Sequence, residues 1–131
     1  ETHPFYAVSL NDLGVLYSTM GNYQKSVIYY SQALAIHEAT LGQNSQYYAE
    51  TLNNLGNVYR SMGKYEKAEN VLLKAKFIMK KEWGEEHLEY GSVLLSLGNL
   101  YLFMNDFNSA EHNYLEFKNI IEKSVNKNYY D

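Results

Sequence analysis

The chain contains no cysteine, which excludes disulfides, thiolate chemistry and cysteine-based zinc sites. That suits a reducing compartment, and a cytoplasmic protein is expected. No apolar run approaches the ~18 residues that a membrane span needs. A secretory leader is also missing, although the sequence opens on Glu1 rather than Met. It reads as an excised piece of a longer protein, so a leader lost upstream stays open. Basic residues are in the minority, with 11 Lys and Arg against 15 Asp and Glu and a net charge of -4. A mildly acidic chain is a poor match for nucleic acid or an anionic membrane, and neither is expected as a partner.

Catalytic and cofactor patterns are missing as well. No His pair has the i, i+4 spacing of a zinc protease helix, and no glycine cluster resembles a phosphate-binding loop. His37-Glu38 and Glu111-His112 are adjacent pairs, and helix neighbours point different ways. The expected chain is therefore not an enzyme and takes no cofactor. What is abundant is apolar surface. Hydrophobic residues make up 46% of 131, enough for one folded domain with a contiguous core. Tyrosine is the outlier, with 14 copies, some at core spacing and the rest free to supply contact surface.

The order of these residues carries a repeat of 42 positions. Leu10, Leu13, Gly14 and Tyr17 recur as Leu52, Leu55, Gly56 and Tyr59, then as Leu94, Leu97, Gly98 and Tyr101. Met20, Tyr23 and Ile36 recur as Met62, Tyr65 and Ile78, then as Met104, Phe107 and Ile120. A fixed period in this range means stacked supersecondary units, none of which can bury its apolar face alone.

Within a unit the apolar spacing of three and four marks two helices. The expected helices run Phe5–Met20 and Tyr23–Thr40, then Tyr47–Met62 and one ending near Trp83-Gly84, then Glu89–Met104 and Phe107–Ser124. Pro4 suits an opening turn. Gly21 and Gly63, with Asn105 in their place in the third unit, suit left-handed turns between paired helices. Gly42 and Gly84 close two of the second helices, and Asn126 falls at the matching position. Lys80 and Lys81 favour the negative end of the helix dipole. Gly14, Gly56 and Gly98 are expected to lie opposite the small residues Ser26, Ala68 and Ala110, letting the paired backbones approach. The charged residues Glu66, Glu69, Glu82, Lys64, Lys67, Lys74, Lys76, Lys80 and Lys81 are expected to form a solvated face with i, i+4 pairs.

The run Leu52-x2-Leu55-Gly56-x2-Tyr59, then Ala68, Leu72 and Ala75, resembles the tetratricopeptide repeat. Leu replaces the usual Trp in all three units, Phe117 replaces the last Ala in the third, and the usual closing Pro is missing. The 42-residue unit and the linkers Thr2-His3-Pro4 and Trp83-Gly84-Glu85-Glu86-His87 look like those of kinesin light chains; Ser45-Gln46 departs from that linker. His3 and His87 hold the same linker place, a mark of architecture. HEAT and armadillo arrays have similar periods but lack the Leu-Gly-Tyr spacing. The resemblance implies an all-α fold, a right-handed α-solenoid of six helices in three helix-turn-helix units, approximately 2–43, 44–85 and 86–127, in a single domain 1–131 cut from a longer array. The echo of Tyr47-Tyr48 in Asn128-Tyr129-Tyr130-Asp131 implies a further unit.

In such an array one shoulder of each first helix lines a concave groove. Here it carries Val8, Asn11, Val15, Ser18 and Thr19, then Glu50, Asn53, Asn57, Arg60 and Ser61, then Ser92, Leu95, Asn99, Leu102 and Phe103. The candidate peptide-binding residues are Asn11, Asn53, Asn57, Arg60, Asn99, Leu95 and Phe103. Asn can pair with any peptide backbone, or it can bridge neighbouring helices. Arg60 can fork onto a carboxylate. It is the one basic residue on this shoulder, which departs from the multi-residue clamp of chaperone-binding relatives and from the basic cargo groove of kinesin light chains. The expected function is a scaffold binding a partner's peptide or helix. The alternative is a mainly structural array that forms homo-oligomers through its exposed repeat faces. Leu95, Leu102 and Phe103 form either an apolar pocket or a surface awaiting a further repeat. Replacing Asn57 and Arg60 together by Ala is expected to weaken binding and leave stability nearly unchanged.

Overall fold

The structure, a computed structural model, describes residues 4–130. Six helices follow one another: α1 (Pro4–Thr19), α2 (Tyr23–Leu41), α3 (Gln46–Ser61), α4 (Tyr65–Trp83), α5 (Leu88–Phe103) and α6 (Phe107–Tyr130). No strand occurs among the described residues. Each turn between paired helices contains one left-handed residue, Gly21 at φ 81°, Gly63 at φ 74° and Asn105 at φ 61°. Glycine takes that conformation at no steric cost and Asn is the next best residue there.

Helix starts are set by capping side chains at equivalent places. Asn22 and Asp106 accept from the backbone N–H of Lys25 and Ser109. Ser45 accepts from Tyr48 N–H at 3.0 Å, and His87, its counterpart one unit on, accepts from Glu89 N–H through Nδ1. The linker departure at Ser45 therefore keeps the same capping job. Gly42 (φ 82°, ψ 168°) and Gly84 (φ 90°, ψ 167°) end α2 and α4 in a positive-φ, extended-ψ conformation open essentially to glycine alone. Asn126 does not end α6, which continues through Tyr130. Asn takes the left-handed turn conformation but not the positive-φ, extended-ψ one of Gly42 and Gly84, so it does not stop the helix there. The expected opening of a further unit at Asn128–Tyr130 is thus part of α6, while His3 and Asp131 lie outside the described residues.

Helices pair as α1 with α2, α3 with α4 and α5 with α6, and each pair stacks on the next through α2 on α3 and α4 on α5. The first helices also touch one another, α1 with α3 and α3 with α5, whereas α2, α4 and α6 do not. Crowding of the first helices bends the stack, so they line its inner side. One core runs along the stack, joining Leu52, Leu72, Met79, Tyr90, Leu94, Leu97 and Leu100, and a smaller one joins Tyr30, Leu55 and Val58.

The repeat glycines make room for a different neighbour from the one expected. A Cβ at Gly14 would fall 2.6 Å from the Tyr30 ring, at Gly56 2.5 Å from Leu72 Cγ, and at Gly98 2.6 Å from the Tyr114 ring. The large residue one turn beyond Ser26, Ala68 and Ala110 fills each notch, because a helix side chain leans towards its own N-terminus. Ser26 still sits close by, donating to the Gly14 carbonyl at 2.7 Å.

The charges on α4 pair differently too. Glu69 accepts from the Tyr101 hydroxyl at 2.7 Å, Lys74 donates to the Tyr48 hydroxyl, and Lys80 pairs with Glu85 at 3.0 Å. Among the described residues the i, i+4 ion pair lies on α6 instead, Lys118 with Glu122, and so does the contact of His112 Nε2 with Glu116 at 2.8 Å.

Candidate functional site

The inner side is built from α1, α3 and α5, so their outward residues define the candidate groove. Helix spacing puts Asn11, Asn53 and Leu95 at one level and Val15, Asn57 and Asn99 at the next. Several of these side chains are already engaged. Asn11 Oδ1 accepts from Thr51 Oγ1 at 3.1 Å and Asn54 Nδ2 at 3.4 Å, tying α1 to α3. Asn57 Nδ2 donates to Ser96 Oγ at 3.1 Å, tying α3 to α5. Asn99 Oδ1 accepts from the Tyr114 hydroxyl on α6. Asn53 differs. Its Oδ1 is buried without a partner, because Val93 stands where the first pair of units has Thr51. A buried amide oxygen left so costs about 1–3 kcal/mol.

Arg60 and Phe103 meet at one end of the groove. The guanidinium carbon lies 5.5 Å from the ring centroid, with Arg60 on α3 and Phe103 on α5. Phe103 is 58% exposed and Leu95 39%. A guanidinium stacked on an aromatic face keeps its N–H fork at the edge, free to meet a carboxylate. The structure therefore brings Arg60 and Phe103 together as one apolar surface with a single cation, while Leu95 lies about two turns back along α5.

A second feature was not legible in the spacing. A cavity of about 160 Å³ lies where α1, α2 and α3 meet, lined by Val8, Asn11, His37, Tyr47, Glu50 and Thr51. His37 is buried, stacks on Tyr47 at 5.7 Å, and leaves Nδ1 without a partner. Burial holds its imidazole below the ordinary value. Burial also raises the Glu50 carboxyl, which accepts from Gln46 Nε2 at 2.9 Å. His37 replaces the Met79 of the next unit, and a polar residue at a core position is the signal that would have found it.

Among the described residues no group of three or more His, Asp or Glu could hold a metal ion, and no helix is long and apolar enough to cross a membrane. What remains is a stack of helical hairpins with a side-chain-lined inner face, the architecture of a helical-repeat binding module. The tetratricopeptide repeat matches residues 5–81 and 47–121, and the chain belongs to that family. No curated protein matches it. Among solved structures it is similar to BtubC (BKLC) from P. vanneervenii, with 25% identity and a TM-score of 0.85 over 92% of this chain and 48% of that one. It is also similar to a Podosopora anserina putative kinesin light chain with nearly identical TPR-like repeats, with 22% identity and a TM-score of 0.84 over 93% of this chain and 58% of that one. A variant form of that same protein gives 22% and 0.83 over 93% and 57%. The chain thus spans about half the length of the solved proteins it matches.

Proposed function

We propose that the chain is a non-catalytic scaffold, an adaptor of the kinesin-light-chain type, whose groove holds an extended segment of a partner protein. Tetratricopeptide repeats are generally protein-interaction scaffolds. The observation that carries the reading for this chain is the Arg60–Phe103 pair, whose ring is exposed. Such a surface suits a segment with one carboxylate next to one apolar side chain: the carboxylate meets the guanidinium fork, and the apolar group lies against the Phe103 ring. Asn53 Oδ1 is buried without a partner, so it faces the interior rather than a docked segment. Asn11, Asn57 and Asn99 serve the groove indirectly, by fixing the spacing of the helices that carry it.

A random-peptide display selection on the chain tests this. Enriched sequences should place Asp or Glu, or a terminal carboxylate, beside Leu, Ile or Phe. They should lose at least about tenfold in affinity, about 1.4 kcal/mol, on Arg60→Ala. Peptides that bind Arg60→Ala as tightly as the native chain count against the site. Asn57→Ala should act elsewhere. It removes a half-buried hydrogen bond between α3 and α5, so it should lower stability by about 1 kcal/mol in urea denaturation. The two substitutions, expected from sequence to act together on binding, thus separate.

A further inference from the structure

The two ends of the stack carry faces that the interior of the same stack shows how to fill. On α3 the outward side towards the preceding hairpin holds Tyr48, Leu55 and Val58, exposed by only 5%, 4% and 2%. On α5 the counterparts Tyr90, Leu97 and Leu100 are exposed by 1% or less. In each case the second helix of the preceding hairpin lies over them. On α1 the same three places are Tyr6, Leu13 and Leu16, exposed by 45%, 36% and 50%, with Met20 at 66% in the same line.

At the other end, α6 repeats the face that α4 turns towards α5. Helix α4 presents Tyr65, Glu69, Lys76, Met79 and Trp83. Helix α6 presents Phe107, Glu111, Lys118, Ile121 and Val125 at the same spacing, with Phe107, Ile121 and Val125 exposed. The α4 face covers α5 with a specific polar contact, the Tyr101 hydroxyl donating to Glu69 at 2.7 Å. The equivalents at the open ends are Tyr17 on α1 and Glu111 on α6. The two faces match as the two halves of the internal α4–α5 junction match.

We propose that this chain stacks head to tail on a second copy of itself, with α6 of one copy seated on α1 of the next. Phe107, Ile121 and Val125 cover Tyr6, Leu13, Leu16 and Met20, and Glu111 accepts from Tyr17 of the neighbouring copy. Such a contact joins two different surfaces. It does not close on itself and continues the internal junction from copy to copy. The groove plays no part in it, so the proposal stands or falls independently of the Arg60 surface.

Sedimentation velocity of the full chain from low to high micromolar concentration tests it. The sedimentation coefficient should rise with concentration and pass the value for two copies. Leu16→Glu and Phe107→Glu should each sediment as monomers, and circular dichroism should show both still helical, since both side chains are already half or more exposed. An equimolar mixture of the two variants retains one intact head and one intact tail, and should form a pair that goes no further. A native chain that stays monomeric throughout overturns the proposal and leaves these faces to flanking units of the same polypeptide or to another protein. Loss of association with Leu16→Glu but not Phe107→Glu also overturns it, because it would mean a two-fold contact of α1 on α1.

Discussion

At Gly56 two familiar effects of adding a methyl group oppose each other. Ala is the better helix former by about 1 kcal/mol. Yet its Cβ would sit 2.5 Å from Leu72 Cγ, and Leu72 is fully buried, with no free end to swing aside. Overpacking of this kind costs about 1–3 kcal/mol, so Gly56→Ala should destabilise the chain in urea denaturation. Gly91 supplies the control. Its added Cβ would meet Phe117 Cδ1 at 3.3 Å, a contact that a shift of a few tenths of an ångström relieves, so Gly91→Ala should cost less. His37 supplies a second prediction at this scale. Burial lowers its folded pKa, so the unfolded chain binds its proton first. The stability from neutral His37 is whole above about pH 6.5 and falls as the pH drops below it. Glu50, in the same cavity, runs the other way. Its raised carboxyl makes a contribution that is whole below the ordinary Glu value of about 4.3 and is lost as the pH rises through the folded one. Subtracting the urea midpoints of His37→Gln from those of the native chain isolates the first effect. The native advantage should shrink on going from about pH 7 to about pH 5. A difference that stays constant across that range would mean that His37 titrates alike in the folded and unfolded chain, and one that grows would mean that it is protonated in the fold.

At the scale of helices, the repeat made most of the architecture readable. Apolar spacing of three and four placed all six helices, with starts and ends within one or two residues except at α6. The left-handed turns were readable because Gly21, Gly63 and Asn105 answer a backbone demand that few residues meet. The partners of the helix glycines were not. Spacing gives the face on which a residue lies, but the lean of the side chains decides which neighbour fills the notch. The candidate groove was readable only as a face. That Asn11, Asn57 and Asn99 are engaged in bonds between helices depends on Thr51, Ser96 and Tyr114, whose pairing is long-range and has no local signature. Most informative is where equal residues met unequal environments. Leu13 and Leu55 hold the same place in the unit, yet Leu55 is 4% exposed and Leu13 36%. Leu55→Ala should therefore cost about 2–5 kcal/mol, the range for a buried leucine, and Leu13→Ala clearly less. Equal losses at the two positions would mean that α1 is covered in solution as α3 is.

At the scale of the molecule, each hairpin is held only by its neighbours, so stability depends on position along the stack. Helix α3 is packed against hairpins on both sides, α4 lies between α3 and α5, and α5 is the most completely buried helix, with Val93, Leu94, Leu97 and Leu100 exposed by 1% or less. Helices α1 and α6 each keep one open side. Local opening follows the density of buried contacts, so amide exchange in dilute solution should be slowest in α3, α4 and α5 and fastest in α1 and α6. The same experiment at high protein concentration separates an end that frays from an end that is used. Seating α6 on α1 of another copy buries both open sides at once, and a ligand that binds only the folded form stabilises it by mass action. Protection should then rise in α1 and α6 together, and also in central helices that open only by global unfolding, and Leu16→Glu should abolish the rise. If protection rose in α1 alone, the contact would pair like surfaces. If neither end gained protection as the concentration rose, the ends would not be seated on one another.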